Sequence, residues 1–315
     1  MGENRRTRKN ILELTLERLQ KLYDECEVSP GRLIRLGIKP WWNTILGSNN
    51  ECGVAANFRG IHADQAENQK FLGLIGKPLI EIANRGIHSG DLMERSVGIA
   101  AMSALSQPHL GSSSVRDRGF LAQGWMSGDK LVHNYPSVSR LVNRKDIVAV
   151  VGYGNEVRHF RGRCRELHVT DIRPKETFET VIIDTRITHG PRDILVHSAT
   201  ENEQVLKIAD VVIMTASTLV NNTFEDLMNY TGNARLVGLY GPGASLIPDE
   251  FFDRNIDFIT SFHFTDPIRF SDDMINDHDM EFSIRTTQKQ YMFMRPLAKT
   301  GGTPIQRILR KIAQP

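Results

Sequence analysis

The stretch Ile147-Val148-Ala149-Val150-Val151-Gly152-Tyr153-Gly154-Asn155-Glu156 decides the fold. Five apolar residues in a row, four of them β-branched, fit a strand buried on both faces, as in a parallel sheet covered by helices. Gly152 and Gly154 then supply a tight turn where a doubly wound fold places its phosphate or nucleotide loop. The third glycine of a dinucleotide fingerprint is missing, with Val157 in its place, and Glu156 opposes an anion.

Downstream, strand and helix patterns alternate. Strands are predicted at 166–170, 210–215, 235–240 and 256–261, with helices near 156–163, 223–230, 248–254 and 266–276. This predicts a mostly parallel sheet with right-handed crossovers. The alternation is interrupted where 181–187 and 193–198 flank His189-Gly190-Pro191, which reads as an inserted β-hairpin or a short antiparallel extension.

Upstream the pattern is α+β. Ile11, Leu14, Leu16, Leu19, Leu22 and Tyr23 recur at helical spacing. Strand-like runs at 33–47 and 52–59 flank Gly47-Ser48-Asn49-Asn50, which reads as a hairpin or meander. Helices follow near 66–74, at 78–84 and at 92–106, the last capped by Asp91. The segment 111–128 is rich in Gly and Ser and reads as loop, and a helix is expected over 129–143. The fold class is therefore α/β, with an N-terminal α+β domain at 1–144, a doubly wound Rossmann-like domain at 145–280, and a C-terminal extension at 281–315.

Composition narrows the function. The 315 residues, 40% hydrophobic and 24% charged, fit a soluble chain of about two domains. No apolar run reaches the roughly 18 residues a membrane helix needs, and the start MGENRRTRKN lacks a signal's apolar stretch, so a cytoplasmic address with no membrane partner is expected. A net charge of +2 argues against nucleic acid. Cys26, Cys52 and Cys164 form no CxxC pair and read as buried free thiols. Walker, HExxH and nucleophile-elbow motifs are absent.

The candidate ligand groups lie at successive strand ends. Gly152, Tyr153, Gly154 and Asn155 follow the first. Asp171 ends the second at the spacing of a ribose-binding acid, or forms a turn with Pro174. Thr215, Ser217, Thr218 and Asn221 follow the third, where Asn221 or Asn222 also reads as a helix cap. Gly241, Pro242 and Gly243 form a loop able to expose backbone N–H groups. Asp266 before Pro267 is at once a crevice residue and an ordinary N-cap. The histidines are scattered, and Asp272 to Asp279 reads as a solvated helix face.

Taken together, VAVVGY (148–153), ADVVIMTASTLVNNT (209–223), GPGASLIPDEFF (241–252) and FHFTDP (262–267) resemble the heavy-metal-chelation family, a Rossmann-like domain of open function. The first half resembles its usual companion, similar to the N-terminal domain of enolase, through Gly53-Val54-Ala55 and Glu94-Arg95-Ser96-Val97-Gly98-Ile99-Ala100. Three positions depart from the family pattern: Ala216 and Asn222 stand where it has Gly, and Ser103 where it has Asn. The resemblance implies an interdomain cleft, with Glu94 and Arg95 as the enolase-like contribution, binding or processing a divalent metal ion or metal-chelating small molecule. The alternative is an enzyme whose S-adenosylmethionine or dinucleotide lies at Gly152–Asn155 and Asp171. Self-association into a homo-oligomer stays open.

Overall fold

The computed structural model describes residues 9–58, 69, 71–126, 138–178, 180–183, 185–190, 192–276 and 287–295. The chain enters through the helix Ile11–Glu25, started by a capping box in which Asn10 accepts from the Glu13 N–H and Glu13 accepts from the Asn10 N–H. Strands β1 (Leu33–Ile38), β2 (Trp42–Gly47) and β3 (Cys52–Ala56) form an antiparallel meander. The first apolar run thus splits in two around Pro40, which has no N–H for a ladder.

The helix Leu92–Ser106 covers this sheet, and Leu79–Ile87 packs against that helix. Leu92–Ser106 is buried along almost its whole length, so its small residues set how closely it packs. Gly86 and Gly98 bring the two helices together at backbone distance, and Gly53 brings β3 against the Ala100 carbonyl and Ala104 N–H.

The second sheet has eight strands in the order β4-β13-β12-β11-β10-β5-β6-β9. Its parallel part comprises β5 (Ile147–Val151), β6 (Glu166–Asp171), β9 (Leu195–Ser198), β10 (Val211–Thr215), β11 (Leu236–Tyr240) and β12 (Phe258–Phe264). Strand β13 (Gln288–Met294) runs antiparallel to β12, and β4 (Leu121–Met126) antiparallel to β13. Alternation along each strand splits the core. Val151, Met214 and Leu239 face one apolar cluster, which continues into the N-terminal helices. Val150, Ile213 and Phe258 face another on the far side. The double-sided burial predicted for 147–151 is therefore met, and the α/β class holds.

Several local expectations are corrected. The hairpin is β7 (Thr180–Ile183) with β8 (Arg186–His189), while the 193–198 run is β9, the edge of the main sheet. A helix at Asn202–Ile208 then leads into β10. The Gly/Ser-rich stretch holds a short helix, Ser112–Asp117, and β4. After β5 there is no α-helix, only a 3-10 turn at Asn155–His159, followed by a positive φ of +68° at Gly162 that a helix could not carry. Of the helix expected near 66–74, the described positions 69, 71 and 72 are helical and 73–74 form a turn; that over 129–143 falls largely outside the described residues, its described end being a 3-10 turn at Val138–Leu141, and Asp277 to Asp279 and the basic segment 305–312 lie outside them. Cys26 is exposed and Cys164 half-buried, so only Cys52 is the buried thiol expected.

Because the collision at Gly53 is with backbone, Gly53→Ala should destabilise by about 1–3 kcal/mol in urea denaturation. Gly90→Ala, with open space around it, should stay within about 0.5 kcal/mol.

Candidate functional site

The parallel strands continue from β5 in opposite directions, through β6 to β9 on one side and through β10 and β11 to β12 on the other. Their carboxyl ends therefore part at β5 and β10, where such sheets hold ligands. Gly152 turns out of β5 with φ +91°, and a Cβ there would stand 2.8 Å from the Thr215 methyl carbon. Tyr240, at the end of β11, reaches over β10 and donates to the Gly152 carbonyl at 2.9 Å. Thr215 Oγ1 lies 3.2 Å from Ser217 Oγ, and Thr218 donates to the Thr215 carbonyl at 2.7 Å. The structure thus brings together Gly152, Gly154, Thr215, Ser217 and Tyr240, and all but Tyr240 are at least partly open to solvent.

Asp171 is also at this end, but its carboxylate is occupied. Oδ2 accepts from the Tyr153 N–H at 2.7 Å and Arg173 Nη2 at 2.8 Å. Oδ1 accepts from the Arg173 N–H at 2.8 Å and Arg173 Nε at 2.9 Å. Burial alone would raise this carboxyl; the Arg173 guanidinium and the two backbone N–H groups outweigh it and hold it below the usual range. Arg173 also donates to the Tyr153 carbonyl and stacks over Phe178, whose ring is 5.0 Å from Tyr153. The pair is a strut fixing the Tyr153 loop.

Glu156 differs. Burial pushes its carboxyl up to about 7, against a weak opposing pull from Arg158; burial also raises the Tyr240 phenol, and the Glu156 charge adds to that rise. No hydrogen bond to this carboxylate is found among the described residues. The sequence reading set Glu156 aside as repelling phosphate; burial, which spacing does not reveal, is what makes it notable. Tyr240 was missed because its reach across a strand is visible only once strand order is known.

The wall towards the N-terminal unit is the segment 216–222. Arg95 leaves the buried helix Leu92–Ser106 and donates to the Leu219 carbonyl at 2.9 Å, the Ile87 carbonyl at 2.6 Å and Asn222 Oδ1 at 2.9 Å. Asn222 has φ +61°, a conformation glycine adopts freely and Asn tolerates, which accounts for the departure from the family's Gly. Neither Asn begins the following helix as expected: its N-cap is Thr223, and Asn221 is the C-cap of the short helix Ser217–Val220. Asn221 accepts from the N–H and hydroxyl of Thr223, the residue at which the helix Phe224–Met228 starts. Glu94 points elsewhere, to Arg85 at 2.9 Å and Ser89 at 2.9 Å, and forms no pair with Arg95. Gly243 packs beside Ala216 and Ala55, closing the contact with β3. Asp266 caps Pro267–Ile275 through the Arg269 N–H. For Asn155 only the backbone is described, at the start of the 3-10 turn.

The Glu156 shift has a thermodynamic consequence. Its folded value lies above its unfolded one, so its contribution is fully present below about 4.5 and lost as pH rises through about 7. Glu156→Gln should therefore be more stable than the native chain at pH 8, by about 1–3 kcal/mol after discounting for partial exposure, with the gain fading by pH 5. Urea denaturation at the two pH values checks this.

Two family models match the chain. DUF364, described as "putative heavy-metal chelation", covers residues 137–292, and DUF4213, with the same description, covers 20–106. An uncharacterised protein of Methanocaldococcus jannaschii is 27% identical over 194 residues, 62% of this chain and 63% of the relative, so the match spans less than two thirds of that relative's length. Among solved structures, a DUF364 protein of unknown function from Pyrococcus horikoshii superposes with TM-score 0.63 at 19% identity, over 90% of this chain and 99% of that one. Another from Desulfitobacterium hafniense gives TM-score 0.59 at 19% identity, over 87% and 98%. At such identities the likeness speaks for the fold. With both models matched in order and the fold shared, the chain belongs to the DUF364 heavy-metal-chelation family.

Proposed function

We propose that the crevice at the ends of β5, β10 and β11 binds a small metal-chelating molecule or its metal chelate. The observation that carries this is the Glu156 carboxyl, held near neutrality without a hydrogen-bond partner among the described residues and near enough to act on the Tyr240 phenol, at the sheet end that also carries the Thr215–Ser217 hydroxyls. Such a carboxyl gives up or takes a proton at physiological pH, so it can receive the proton a chelator loses on binding metal, or cap the ion itself.

Among the described residues no group of three or more His, Cys, Asp or Glu is placed to hold an ion. A naked ion would find too few protein ligands here, whereas a chelate brings its own and needs only hydrogen-bonding and one ionisable group. Heavy-metal chelation in the family description fits this division of labour. The nucleoside alternative meets an obstacle. A ribose at Asp171 must displace Arg173, because both carboxylate oxygens are already taken. Neither reading requires a membrane: among the described residues no helix is long and apolar enough to cross one.

The test is thermal shift and calorimetry on the metal-stripped full-length chain with nickel citrate, zinc citrate, citrate alone, S-adenosylmethionine and NAD. The expected result is stabilisation by a citrate chelate, at least tenfold weaker binding in Glu156→Gln, and no effect of the adenosine compounds. Stabilisation by an adenosine compound, abolished in Asp171→Ala, would contradict the proposal and make the chain a cofactor-using enzyme.

A further inference from the structure

On the far edge of the same sheet, outside the crevice, two histidines face each other. His168 on β6 and His197 on β9 lie on one face of the sheet, and His168 Nδ1 is 3.0 Å from His197 Nε2. The ring planes are 11° apart with centroids at 5.1 Å, so with the nitrogens so close the rings meet edge to edge. Each outer nitrogen faces a carboxylate: His168 Nε2 lies 3.2 Å from Glu166 Oε2, and His197 Nδ1 lies 3.3 Å from Glu201 Oε1. Ionised carboxylates only accept, so the outer nitrogens carry the protons. Both inner nitrogens of the neutral pair then present lone pairs to one gap, an arrangement that repels unless a proton or a cation occupies it.

A second observation separates these occupants. Thr170 stands directly opposite His197 in the ladder, on the face shared with His168, and its hydroxyl is buried without a hydrogen-bond partner. A bridging proton leaves that hydroxyl unsatisfied. A hydrated metal ion supplies a water for it.

We propose that His168 and His197 hold a transition-metal ion, with water completing its coordination and Thr170 hydrogen-bonding to that water. Carboxylates behind both imidazoles are the arrangement that orients histidine ligands and strengthens them as donors. Two nitrogens on a tetrahedral ion at about 2.0–2.1 Å stand about 3.3 Å apart, so the pair opens only slightly to admit one. Imidazole donors suit copper, zinc and nickel, copper(II) binding tightest. Glu166 and Glu201 offset the ion's charge, and Lys175, 2.9 Å from Glu201, holds that carboxylate in place. His197 is partly open at the edge strand, giving water and ion a way in.

The site is tested by titrating copper(II) into the metal-stripped, tag-free full-length chain and recording its paramagnetic resonance. The expected result is one equivalent whose spectrum carries coupling to two imidazole nitrogens. It should be weakened at least tenfold in His168→Gln and in His197→Gln and kept in Glu156→Gln. An equivalent that survives both histidine substitutions, or shows no such coupling, overturns the site. Should either variant fail to fold, nitrogen NMR of the native chain with zinc decides. Two histidine ring nitrogens, one δ1 and one ε2, should move together; if none moves, a shared proton fills the gap. The Glu156→Gln arm separates this site from the crevice, so each proposal stands or fails alone.

Discussion

Everything at the crevice follows from two neighbouring parallel strands that send the chain apart. Strand β5 hands on to β6, and β10 to β11, on opposite sides. No connection can cover the gap between their ends without crossing back over the sheet, so the gap remains for side chains and ligands. The local chemistry adjusts to that geometry. Gly152 turns with a positive φ and has no room for a Cβ beside Thr215, both of which call for glycine, and Tyr240 bridges the gap to the Gly152 carbonyl. Glu156, near enough to act on Tyr240, is left with burial but without a hydrogen-bonding partner among the described residues.

The N-terminal unit is joined to this sheet through a common apolar core, not tethered beside it. Residues of the first helix and of Leu92–Ser106 pack in one cluster with Met214 and Leu239. Polar contacts then set the register between the halves. Gln107 donates to the Phe262 carbonyl and accepts from the Phe264 N–H, and Arg95 grips the 219–222 turn. The close approach at Gly53 fixes where that helix lies, and therefore where Arg95 emerges. A residue remote from the crevice thus positions one of its walls.

The parallel sheet was legible because burial on both faces leaves an unbroken apolar run, and 147–151 is one. Its two antiparallel strands were not. Strand β4 lies in a Gly-rich stretch whose composition suggests a loop, and tertiary pairing with β13 overrides that preference. Strand β9 was recognised as a strand but paired wrongly, because sequence distance favours a hairpin over a partner many residues back. At the site, the glycines and hydroxyls were placed correctly at strand ends, since loop position follows from strand order. Roles carried by burial or by partner choice were hidden: Glu156 looked like a liability and Asp171 like a free acceptor.

The most direct test of the crevice is hydrogen–deuterium exchange of the full-length chain with and without nickel citrate. Binding as proposed slows exchange in 152–158, 215–222 and 240–245 together, because these segments come from the three strand ends that form it. Protection confined to other segments, with these three unchanged at saturating chelate, would contradict the account.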